Sequence, residues 1–202
     1  MPSKEDTMPA DEALWQSARN IKDSQDNLNR LFDSFAAVEC SQGPYIREAD
    51  WDAVDEEFIQ PVWNYYFSVH ASARANSRIN GWITAAIQLT CNDGVHGDWP
   101  SGRRSKVLVG YSDYREYGDA WVFDTNSTNK SGHYDDCQDR RDHWIYDDDC
   151  ESSWFYAVQL SSLASTEAVQ ENIVRPVHAI LQGEDISSVL APIQYNLYLP
   201  HQ

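Results

Sequence analysis

One apolar stripe constrains this chain more than any other feature. Leu14, Ala18, Ile21, Gln25, Leu28, Phe32 and Phe35 recur at spacings of 4, 3, 4, 3, 4 and 3. Only a helix lines such residues up on one side, so a long helix is expected over 10–38. Asp11 and Glu12 fall in its first turn, where carboxylates suit the positive end of the helix dipole. Gly43-Pro44 forbids continuation. The stripe has two uses: docking on the body of its own domain, or forming the seam of a homodimer. Residues 1–9, with two Pro, three charged residues and little apolar content, read as a disordered tail ahead of a single domain over 10–202.

A second helix is expected over 50–60. Asp50 or Asp52 would cap it, Asp55, Glu56 and Glu57 would crowd its start, and Trp51, Val54, Phe58 and Val62 would give an apolar face. Pro61 kinks or ends it. Residues 63–73 fork. Tyr65, Phe67, Val69 and Ala71 alternate like a strand, yet Val62, Tyr65 and Val69 keep helical spacing, and the helix is favoured by a small margin.

The middle of the chain reads as sheet. Asn80-Gly81 signals a tight turn. Ile83, Ala85, Ile87, Leu89 and Cys91 then alternate with Trp82, Thr84, Ala86, Gln88 and Thr90. Residues 92–104 read as a Gly-rich loop, and 105–112 and 120–125 as strands. Residues 126–142 are loop-like, 143–146 a short edge strand, and 153–160 a strand. Ser165 or Thr166 caps a C-terminal helix through Val169, Ile173, Val177 and Ile180, kinked at Pro176 and closed by Gly183. Residues 193–199 alternate as a last strand. The expected class is α+β: an antiparallel sheet of about five to six strands, with N-terminal helices and a C-terminal helix on one face.

Charge narrows the functional classes. Thirty-two acids against fifteen bases give a formal charge of −17. Segments 1–60, 61–134, 135–151 and 152–202 carry −9, +1, −6 and −3. A chain so acidic is ill suited to bind a phosphate backbone or an anionic membrane, and no apolar run is long enough to span one. The first 20 residues hold no apolar signal region, so the expected compartment is cytoplasmic. The uneven charge speaks against uniform adaptation to high salt. It allows a merely solvating surface, or an acidic docking face for a basic protein partner. On the docking reading Trp51, Asp52, Asp55, Glu56, Trp144, Tyr146, Asp147, Asp148 and Asp149 carry recognition, the aromatics as anchors.

Catalytic patterns are scarce. The chain lacks G-x-S-x-G, a Walker loop, G-x-G-x-x-G and H-E-x-x-H. His96 with Asp98, and His133 with Asp136, form paired nitrogen and oxygen donors that would hold a divalent metal if their loops met. Eight carboxylates in 135–151 lack EF-hand spacing, and Arg140 and Arg141 interrupt them. Cys40, Cys91, Cys137 and Cys150 form no C-x-x-C; Cys137 and Cys150 would bridge only in an oxidising compartment. The leading expectation is a non-enzymatic, cofactor-free interaction protein of inhibitor, immunity or antitoxin type, monomeric or homodimeric. Its rivals are a metal-dependent hydrolase and a DNA-mimicking decoy.

Overall fold

The computed structural model describes residues 10–53, 62–89, 105–113, 137–147 and 152–199. Helix α1 (Ala10–Phe35) continues into a 3-10 turn, Ala36–Val38. The strands are β1 (Tyr45–Ala53), β2 (Val62–His70), β3 (Ile79–Gln88), β4 (Lys106–Ser112), β5 (Gln138–Asp139), β6 (Trp144–Asp147) and β7 (Ser152–Gln159). After them come α2 (Thr166–Val169), α3 (Arg175–Leu181), α4 (Ile186–Leu190), a 3-10 stretch over Ala191–Asn196 and β8 (Leu197–Tyr198). The class is α+β. The sheet is antiparallel, in the order β1-β2-β3-β4-β7-β6-β5. Strand β8 prolongs the β6 side of β7, pairing Ala157 and Val158 where β6 has ended.

Strand alternation sorts the two faces. Phe67, Val69, Ile83, Ala85, Ile87, Val107, Val109, Tyr156 and Val158 point to one side. There they bury against Leu31 and Phe35 of α1, Val169, Ile173 and Val177 of the C-terminal helices, and Leu190. A smaller cluster of Ala86, Leu108, Trp144, Phe155 and Ala157 is buried on the other side. Asn64, Thr84 and Gln88 are buried there too.

Five expectations change. Residues 138–139, expected as loop, form β5, so the strand expected at the edge over 143–146 is an interior one. Residues 45–53 form a strand, not the start of a helix over 50–60, and the rest of that segment lies outside the described residues. The proposed caps Asp50 and Asp52 pair instead with Tyr66 and Asn64 across the sheet. Residues 62–70 are a strand as well: period-two alternation puts Tyr65, Phe67 and Val69 on the core side at once, which a helix cannot do. Asn80-Gly81 is no turn but lies inside β3. Gly81 is needed because the Tyr111 ring crosses it, donating its hydroxyl to the Asn80 carbonyl at 2.9 Å, and a Cβ would collide with that ring. Of the last strand only Leu197–Tyr198 forms; Pro192 starts a 3-10 turn in place of the rest. The expected strand at 120–125 lies outside the described residues.

The C-terminal helix follows its local chemistry. Ser165 accepts from the Ala168 amide as N-cap. Gly183, at φ 95°, closes the helix in the left-handed region. Pro176 gives no N–H to the Asn172 carbonyl four residues earlier, and a π-turn spans Gln170–Val174 just ahead of it. The Tyr156 hydroxyl donates to that same carbonyl at 3.1 Å. The proline irregularity thus becomes the point where helix and sheet are joined.

Burial pushes the fully enclosed Tyr156 phenol far above its usual range. A raised folded-state value contributes stability below the unfolded value near pH 10 and loses it as pH rises further. Stability is therefore expected to fall above about pH 10 by up to ~1.4 kcal/mol per pH unit from this group. Tyr156→Phe should be less stable at neutral pH by about 1 kcal/mol yet fall less steeply. Equal alkaline slopes in urea titrations of both proteins would contradict this.

Candidate functional site

The described parts of the two acidic segments lie apart in the sheet. Strand β1 edges the sheet, while β6 lies five strand positions away, about 24 Å at the usual strand spacing. Trp51 and Asp52 sit on β1 opposite Tyr65 and Asn64. Asp55 and Glu56 lie outside the described residues, as do Asp148 and Asp149. Asp147 is exposed at the end of β6, and Tyr146 is half-buried opposite Ser153. Trp144 is only 1% exposed and stacks flat on Phe155, ring centres 5.3 Å apart. Its place in the β6–β7 core leaves no face to offer a partner. An aromatic in an acidic run reads equally as anchor or as core.

The β1 edge, by contrast, is a built site. The C-terminal half of α1 lays Phe32 and Phe35 over Tyr65, ring centres 5.7 and 5.9 Å away, and Phe67 flanks it at 5.5 Å. This packing fixes the phenol at the rim of the core. Its hydroxyl donates to Glu48 at 3.0 Å, and the Glu48 amide donates to the Glu39 carboxylate at 3.3 Å. Partial burial, then the Glu48 hydrogen bond and the fields of Glu48, Asp33 and Glu39, raise the Tyr65 phenol above its usual value. At this exposed edge Glu48 of β1 thus meets the Tyr65 hydroxyl and Glu39 meets the Glu48 amide, with the charge of Asp33 on α1 also felt at the phenol. Like charges so gathered repel, and a cationic group placed among them would relieve that repulsion. Sequence reasoning found the acidic block at 48–57, which includes Glu48, but did not single out Asp33 and Glu39, which reach this edge from α1 and the turn after it.

Two further constellations have catalytic residue types. Asp142 Oδ1 lies 2.6 Å from His143 Nδ1 and accepts from the Ser187 hydroxyl at 3.0 Å. Aspartate and histidine are both buried. The carboxylate stands between the other two groups, so the serine hydroxyl addresses the acid and not the imidazole. A nucleophile relay requires the imidazole in the middle. This arrangement clamps the β5–β6 hairpin to α4. The adjacent Asp142-His143 was visible in the sequence, but its serine partner is 45 positions away.

His70 is the second. Its Nδ1 lies 3.2 Å from the Ser77 carbonyl and its Nε2 2.9 Å from Ser68 Oγ, whose hydroxyl also reaches the Arg47 carbonyl at 3.3 Å. That is a serine–imidazole pair, yet Ser68 sits mid-strand with β1 and β3 paired on either side. Its backbone offers no convergent N–H groups to an oxyanion. The contact instead secures the 71–78 turn, which Arg47 also holds through the carbonyls of Ala73, Arg74 and Ala75.

His96, Asp98, His133 and Asp136 all lie outside the described residues. Among the described residues no group of three or more His, Cys, Asp or Glu is placed to hold a metal ion, and no helix is long and apolar enough to cross a membrane. Cys137 is buried, and Cys150 lies outside the described residues. Comparison with protein families, with curated proteins and with solved structures finds no match to this chain.

Proposed function

We propose that this chain is a non-enzymatic interaction protein that binds a basic protein partner, in the manner of inhibitor, immunity or antitoxin proteins, and does so at the β1 edge. The convergence of Asp33, Glu39 and Glu48 around Tyr65 supports the reading. A Lys or Arg of the partner enters the acidic rim, and the aromatic layer beneath supplies a rigid floor. Charge of this kind acts mainly by steering the encounter.

The test begins with affinity capture at low salt, followed by association kinetics with the purified partner. Glu39→Gln combined with Glu48→Gln should leave thermal stability nearly unchanged, because exposed charges contribute little. The on-rate should fall about tenfold, with a shallower salt dependence and little change in off-rate. An acidic partner, or a variant whose salt slope matches the parent, would end this reading.

A further inference from the structure

We draw no further inference here: the strongest candidate, the cluster of buried polar side chains that Asn64, Gln88 and Lys106 form on the sheet face away from the helices, carries none, because nothing among the described residues shows what covers it.

Discussion

Replacing Phe35 with alanine is expected to remove about 3–5 kcal/mol of folding stability, the usual cost of emptying a buried aromatic site. Phe35 is fully buried, lies against Tyr65 and belongs to the cluster that joins α1 to the sheet. The cavity left behind would be lined by groups from α1 and β2, held rigid by the strand ladder and the helix, so collapse into it is limited. The same substitution at Leu14 on the same stripe should change stability by less than about 0.5 kcal/mol, measured dilute enough to keep the protein monomeric. Urea unfolding of the two variants makes the comparison directly. If Leu14→Ala were as damaging as Phe35→Ala, α1 would be docked along its whole length on its own domain.

Asp142→Ala is expected to cost about 3–5 kcal/mol, because it strips a buried partner from two groups at once. His143 would stay buried without its carboxylate, and the Ser187 hydroxyl would lose its acceptor. The damage should be local in its first effects: the β5–β6 hairpin and α4 lose their link, so amide exchange should quicken there before the core strands are affected. Asp147→Ala, on an exposed aspartate of the same acidic run, should stay within about 0.5 kcal/mol. Equal stability of the two variants would mean that Asp142 is a solvated charge and that the clamp carries no load. The contrast also separates two roles that composition merges. Asp142 is buried between two partners, while Asp147 of the same run is exposed.

Sequence alone determined the elements whose periodicity had one interpretation. The stripe from Leu14 to Phe35 has no strand reading, and α1 ends at Phe35 within the expected span. Strand alternation over 82–91 and over 153–160 has no helix reading, and β3 and β7 cover most of those spans. The Ser165 cap and the Gly183 stop depend on backbone groups a few residues away, so they too were legible. These local rules sufficed for the α+β class and for helices on one face of an antiparallel sheet.

Tertiary structure decided everything that depends on a neighbour distant in the chain. Tyr65, Phe67 and Val69 fitted either period until α1 supplied Phe32 and Phe35 to pack on one strand face. Asn80-Gly81 carries a strong turn signal, yet it lies inside β3, where the Tyr111 ring from another strand crosses Gly81. Trp144 turned inward because Phe155 lies opposite it in the register, and Asp142 found Ser187 across 45 positions. Local spacing also could not tell that the α1 stripe would be covered only in its second half. Among the described residues the core reaches α1 as far as Leu28, and residues 11–27 are exposed. A periodic pattern specifies a surface, but only the folded chain specifies what is near enough to bury it.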